Sequence, residues 1–213
     1  MAMRIICDNE DFLAADKPAG LASIPERSGP GVPCALTELE AQLGRKLFVI
    51  HRLDKAASGA ILFAKNAHAH RLICALFARR EVSKRYTVLV CGLPEPPSGK
   101  INLPLRSFGS GRTAVDHARG KPSLTAYSTI RRFERCALMD ARIITGRRHQ
   151  IRAHFYAIGH PVAGDLRYGD RAAQSAFPRL MLHSREIAFN FKGAPVAITA
   201  PAPEEFELAA ATF

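Results

Sequence analysis

With 213 residues, 47% apolar and 23% charged, the chain has the composition of a folded globular protein with one sizeable core. No apolar run approaches the roughly twenty residues of a membrane span, and the start MAMRIICDNEDF lacks an apolar segment followed by a small-residue cleavage site, so an integral membrane protein and an exported one are both disfavoured. Thirty Lys and Arg against nineteen Asp and Glu leave a formal charge of +11, which points to a polyanionic partner.

The basic residues are spread along the chain, with no terminal polybasic run beside an amphipathic anchor. Nucleic acid is therefore favoured over an acidic membrane surface. Tryptophan is absent and aromatics make up 8%, which argues against an extensive base-stacking platform. The five cysteines (Cys7, Cys34, Cys74, Cys91, Cys136) are widely separated and form no CxxC pair. They read as reduced thiols of a cytoplasmic protein, neither a zinc module nor a disulfide framework.

In chain order, RIIC (4–7) and FLAA (12–15) read as short strands around the acidic turn DNED, and DKPAGL (16–21) as a tight loop. Residues 25–33, with three prolines and two glycines, read as a connector. ALTELEAQLG places Leu36, Leu39 and Leu43 at helical spacing and stops at Gly44. The apolar run Leu47–Ile50 predicts a core strand, followed by GAILFAKN as another. AHAHRLICALFARR puts Leu72, Ile73, Leu76 and Phe77 on one helical face. SKRYTVLVCG alternates, with Tyr86, Val88 and Val90 on one side. Residues 94–122 read as an exposed basic excursion of hairpins. Two strand segments, LTAYSTIRRF and CALMDARIIT, precede a helix in GRRHQIRAHFYAIGHP that starts after Gly146, and LMLHSREIAFNF and PVAIT end the pattern. Many strands with about three helices and no regular βαβ alternation predict an α+β fold, with a mixed, largely antiparallel central sheet flanked by helices, in a single domain spanning 1–213.

Three constellations carry chemistry. Asp54 stands between His51–Arg52 and Lys55, at the end of the apolar run and before the small residues of KAASG. An ionised carboxylate held there suits nucleophilic work better than proton donation, although an ion pair at a strand end is the ordinary alternative. TGRRHQIRAH brings Arg147, Arg148 and Arg152 together, with Arg148 and Arg152 four apart. Either it is a solvated basic face, or Arg147 and Arg148 hold phosphate while Arg152 pairs with a buried acid. His149 and His154 have the spacing of a metal pair, but no carboxylate or cysteine set completes a metal site. Tyr86 is either a core tyrosine or a wall on which a base stacks. There is no Walker loop, no GxGxxG after a strand and no GxSxG elbow.

Taken in order, DKPAGL (16–21), HRLDKAASG (51–59), KRYTVLVCG (84–92), GKPSLTAYS (120–128), TGRRHQIRAHFYAIGHPVAGD (145–165) and LMLHS (180–184) resemble the RluA-type family of RNA pseudouridine synthases across nearly the whole chain. The resemblance implies the pseudouridine synthase fold and a cofactor-free isomerase that detaches uracil from ribose, rotates it and rejoins it through C5. It maps the catalytic aspartate onto Asp54, its tyrosine onto Tyr86 and the basic partner of the aspartate onto Arg152. Arg52 matches the residue that helps displace the target nucleotide, and Leu182 an apolar pocket position. His51, Arg147, Arg148 and His149 join the expected substrate contacts. Two departures stand out: Ala57 and Arg148 each replace a threonine usual in the family's HRLDxxTSG and TGRTHQIR. An N-terminal S4-type domain is not expected.

The expectation is thus a cytoplasmic, monomeric pseudouridine synthase acting on tRNA or rRNA, without metal, cofactor or membrane. A non-catalytic RNA-binding protein or chaperone on the same fold is the rival reading. An RNA hydrolase is disfavoured because no metal-carboxylate cluster is visible.

Overall fold

The computed structural model describes residues 2–25 and 31–212, so most of the expected connector at 25–33 lies outside the described residues. Contacts divide the chain into two compact units, each discontinuous in sequence: residues up to 83 with 183–201, and residues 84–182 with those from 202 onward.

In the first unit, β1 (Arg4–Asp8) and β2 (Phe12–Lys17) form an antiparallel hairpin. Its acidic turn closes because Asn9 Oδ1 accepts the backbone N–H groups of Asp11 and Phe12, each at 2.9 Å. Helix α1 (Ala35–Leu43) starts at Cys34, whose N–H donates to the Thr37 hydroxyl, and ends at Gly44 with φ 64°. The predicted core strand over 47–50 shrinks to β3 (Phe48–Val49), which pairs with β4 (Ser58–Ala64). Phe48 is 37% exposed and only Leu47 of that run is buried. By contrast, every residue of β4 is buried. Helix α2 (Ala67–Arg79) is capped by Asn66, whose side chain accepts Ala69 N–H at 2.8 Å. Ala69 and Ile73 enter the core, whereas Leu72, expected on the buried face, is 39% exposed.

The second unit begins with β5 (Ser83–Cys91), β6 (Ser98–Asn102), the hairpin pair β7 (Leu105–Ser107) and β8 (Thr113–Val115), then β9 (Leu124–Arg132) and β10 (Cys136–Ile143). All its pairings are antiparallel, in the order β5-β10-β9-β6, with β7-β8 as a separate ribbon. The basic excursion at 94–122 therefore contains three short strands. Helix α3 (Gln150–Ala157) starts three residues later than expected, because His149 adopts φ 51° and breaks the helical run. Arg148 consequently precedes the helix and shares no helical face with Arg152. The four-residue α4 (Arg171–Gln174) follows.

The chain then returns to the first unit. There β11 (Leu182–Phe191) pairs in parallel with β4, through His183 with Ser58 and Ser184 with Gly59, and antiparallel with β12 (Ala194–Thr199). The parallel pair makes the sheet mixed, though mostly antiparallel, as the sequence suggests. Close approach explains Gly59: with φ 108°, a Cβ there would lie 2.3 Å from the Ser184 carbonyl oxygen. Phe12, Leu62, Ile73, Ile187, Phe189 and Ile198 fill this core, with Phe12 edge-on to Phe189 and Phe191 at 5.9 and 5.6 Å. Finally, α5 (Glu205–Thr212), which the hydrophobic pattern does not announce, inserts Phe206 beside Leu89, Leu138 and Met181 of the second unit.

Candidate active site

Asp54 lies in the irregular stretch between β3 and β4 and is half-buried. Such a stretch needs fixing from outside, because it lacks a ladder of its own. Lys17, fully buried at the end of β2, supplies most of that. Its ammonium donates to the carbonyls of Ala57 (2.6 Å), Pro18 (2.8 Å) and Leu21 (2.8 Å), with Lys55 at 3.3 Å. Gly20 N–H adds a bond to the Lys55 carbonyl at 2.8 Å. On the other flank, the Ser23 hydroxyl donates to Leu53 O at 2.8 Å and accepts from Leu53 N–H at 2.9 Å. The DKPAGL segment is thus the clamp of the Asp54 loop. The residue before Asp54 and those just after it are tied down on both sides.

His51 and Arg52 share this loop. The His51 ring stacks on Phe77 (5.3 Å, 19°), and its Nε2 accepts Leu62 N–H at 3.1 Å. One nitrogen of the expected substrate contact is therefore committed to holding β4. Arg52 is exposed. Further along the unit, Ser58 Oγ and His183 Nδ1 lie 2.9 Å apart, while His183 Nε2–H donates to Ala200 O at 2.9 Å.

In the second unit, Arg152 projects from α3 and is 8% exposed. Its Nε and Nη2 donate to the two carboxylate oxygens of Asp165 at 2.7 and 2.8 Å, a planar fork between buried groups. The expected buried acid beside Arg152 thus includes Asp165. That carboxylate also accepts the N–H groups of Arg167 (3.0 Å) and Tyr168 (3.2 Å). The side-chain oxygen of buried Gln174 accepts Gly164 N–H at 2.6 Å and so braces the same turn. Tyr168, 1% exposed, lies under the Arg152 guanidinium at 5.1 Å. Its hydroxyl accepts Thr113 N–H at 2.8 Å and sits 3.0 Å from His149 Nδ1. Burial pushes the Tyr168 phenol upward from its ordinary value.

Tyr86 lies on β5 opposite Ala141 and is 8% exposed. Thr87 and Leu89 on the opposite side are buried too, so the alternation does not separate a wet face from a dry one. The neighbouring Lys84 ammonium is pushed down by burial. Arg147 is half-buried and donates to Pro122 O at 3.3 Å, Arg148 is exposed, and Leu182 is 5% exposed.

The histidine pair separates. His149 faces Tyr168, whereas His154, fully buried, donates from Nε2 to Leu103 O at 3.0 Å, leaving Nδ1 to accept from the Thr125 hydroxyl at 2.9 Å. Burial pushes the His154 imidazole downward. It is a core histidine, and among the described residues no group of three or more His, Cys, Asp and Glu is placed to hold a metal. The cap of α3 is built from polar side chains: Gln150 Oε1 accepts from the Thr145 hydroxyl (2.7 Å) and Arg147 N–H (3.0 Å). With Arg147 N–H bound there, the helix begins at Gln150 and not directly after Gly146.

Lys17, Ser23, Asp165 and Tyr168 are the members that the sequence reading leaves unassigned. Their signals are modest: a lysine closing an apolar strand, and an Asp–Tyr pair three apart after a helix.

Comparison with known proteins supplies the context. A family model described as RNA pseudouridylate synthase matches residues 11–157. A dual-specificity RNA pseudouridine synthase RluA of Escherichia coli K12 is 34% identical over 208 residues, covering 95% of this chain and 93% of the relative. An uncharacterised RNA pseudouridine synthase of Mycobacterium tuberculosis is 35% identical over 219 residues, covering 96% and 71%. Among solved structures, human RNA pseudouridylate synthase domain containing 1 superposes with a TM-score of 0.83 at 26% identity, over 97% of this chain and 87% of that one.

Proposed function

Because the chain belongs to the RluA-type RNA pseudouridine synthases, enzymes that isomerise uridine in RNA to pseudouridine, we propose that Asp54 is its reacting carboxylate and that Tyr86 and Arg152 complete the catalytic set. The observation that carries the assignment is the Asp54 loop itself: half-buried, without a strand ladder, yet pinned by Lys17 and Ser23. Rigid placement of one carboxylate by groups that do no chemistry is what a preorganised reacting group requires.

The reaction needs no co-reactant. The N1–C1′ bond breaks, the base turns, C5–C1′ forms, the C5 proton leaves and N1 takes one up. Two roles for the carboxylate fit, addition to C6 of the base or support of the departing bond at C1′. Tyr86 stacks on the extruded uracil and serves proton movement. Arg152, aimed by Asp165, is the basic partner of Asp54. Arg52 assists displacement of the nucleotide from its stack, Leu182 lines the base pocket, and His51, Arg147, Arg148 and His149 contact the RNA.

The substrate is tRNA or rRNA, and the formal charge of +11 supports a grip on either backbone. Residues 1–213 act as a single catalytic domain, working as a cytoplasmic monomer. Among the described residues no helix is long and apolar enough to cross a membrane. Incubation with RNA carrying tritium at uridine C5 tests the assignment. Label is released by the wild type and not by Asp54→Asn, and release that persists in the variant contradicts it.

A further inference from the structure

The tip of the β7–β8 hairpin carries a second charged feature. Residues 108–112 form a tight loop in which Phe108 N–H donates to Arg112 O at 2.8 Å and Gly111 N–H to Phe108 O at 2.9 Å. Gly111 has φ 77°, and a Cβ built on it would lie 3.2 Å from Arg167 Nη1 and 3.4 Å from Arg148 Nη2. Two guanidinium groups from separate parts of the sequence therefore meet over one glycine, where any side chain would intrude.

Like charges that close repel unless an anion sits between them. Several other arginines of this unit are matched: Arg106 on the same hairpin with Asp116 (3.1 Å), Arg132 with Glu95 (2.7 Å) and Arg85 with Asp140 (2.6 Å). Among the described residues, neither Arg148 nor Arg167 closes an ion pair, and both are exposed. Arg167 is held in place by a bond from Nη1 to Ser110 O at 3.3 Å and by its own N–H on Asp165. A third guanidinium, Arg112, lies over the Tyr156 and Tyr168 rings at 5.1 and 5.2 Å, which braces the loop and adds positive charge.

We propose that Arg148 and Arg167 form a clamp for one phosphodiester of the RNA substrate, with Gly111 as its floor. The proposal rests on the reading of the chain as an RNA-modifying enzyme. A planar guanidinium presents paired donors matched to phosphate oxygens, and two of them facing a single point suit one bridging phosphate. Arg148 stands where the family motif usually has threonine, so the clamp belongs to this chain and not to the motif. The turn that supplies Arg167 also supplies Asp165, so the grip lies two residues along the chain from the carboxylate that aims Arg152.

The test is the salt dependence of binding to a short fluorescein-labelled RNA stem-loop, followed by anisotropy between about 50 and 200 mM NaCl. Arg148→Gln with Arg167→Gln makes the slope of log Kd against log salt shallower by about 0.9, the share of one phosphate, and weakens binding on the order of tenfold at the low-salt end. Arg131→Gln with Arg135→Gln removes the same charge from the same unit, but at guanidiniums that already face Glu207 (3.0 Å) and Glu134 (3.9 Å). That pair shifts the slope by less than about 0.5. Arg148→Lys with Arg167→Lys retains the slope. A slope in the glutamine pair equal to that of the Arg131/Arg135 pair, or no binding of the stem-loop by the wild type, overturns the clamp. Tritium release by the wild type, measured alongside, reports on the enzymatic reading separately: a clamp that fails leaves release intact, and a failed isomerase leaves the slopes to be compared.

Discussion

The first unit buries the ammonium of Lys17 among backbone carbonyls, whereas the second buries the guanidinium of Arg152 against the carboxylate of Asp165. The two solutions fix different things. A cage of carbonyls from residues 18, 21, 55 and 57 sets the course of two loops and places whatever lies between them, here Asp54. A planar fork sets the direction of a single side chain, here Arg152. One unit thus preorganises a loop and the other preorganises a cation.

Breaking the fork has the largest expected consequence. Asp165→Ala removes the carboxylate that takes two bonds from Arg152 and two backbone N–H groups, at a cost of about 3–5 kcal/mol. Urea unfolding measures it, and a loss under about 1 kcal/mol would mean the pair is not a buried one. Breaking the cage comes next. Lys17→Met keeps an apolar stem but leaves buried carbonyls without their donor, for about 2–3 kcal/mol. If the cage serves Asp54, kcat for pseudouridine formation falls by more than KM rises. Equal stability loss with kcat untouched would reduce Lys17 to a structural residue. The smallest change sharpens the same contrast at the edge of the fork. Tyr168→Phe keeps the ring under Arg152 and removes only the hydroxyl that meets Thr113 N–H and His149, for about 1 kcal/mol. Its expected effect on isomerisation is less than that of Asp165→Ala.

What the sequence made legible followed from repeating patterns and punctuation. Gly44 marks the end of α1 by its backbone freedom, and the boundary falls there. The mixed, mostly antiparallel character of the sheet was likewise readable from strand signals without βαβ alternation. The failures have physical causes. Leu47–Ile50 looks like a core strand because apolarity reports burial, not pairing, and only Phe48–Val49 finds a ladder, at the margin of β4. The start of α3 was misplaced because a residue outside glycine took φ 51° at His149, a conformation that periodicity cannot see. Helix α5 is not legible in the pattern because it is short and buries one large residue, Phe206, with two small ones, Ala209 and Ala210. At the proposed site, Asp54, Arg152 and Tyr86 are assigned through motif order alone. Asp165 and Lys17 were not assigned, because their partners lie 13 to 40 residues away or are backbone atoms.

The claim on which the account turns is that the Asp54 carboxylate does chemistry and not binding. Measuring, on one RNA, both the affinity of Asp54→Asn and its single-turnover yield of pseudouridine by nucleoside composition tests that most directly. The expected result is affinity within a few-fold of wild type and no pseudouridine formed. Isomerisation by the variant at a rate comparable to wild type would contradict it.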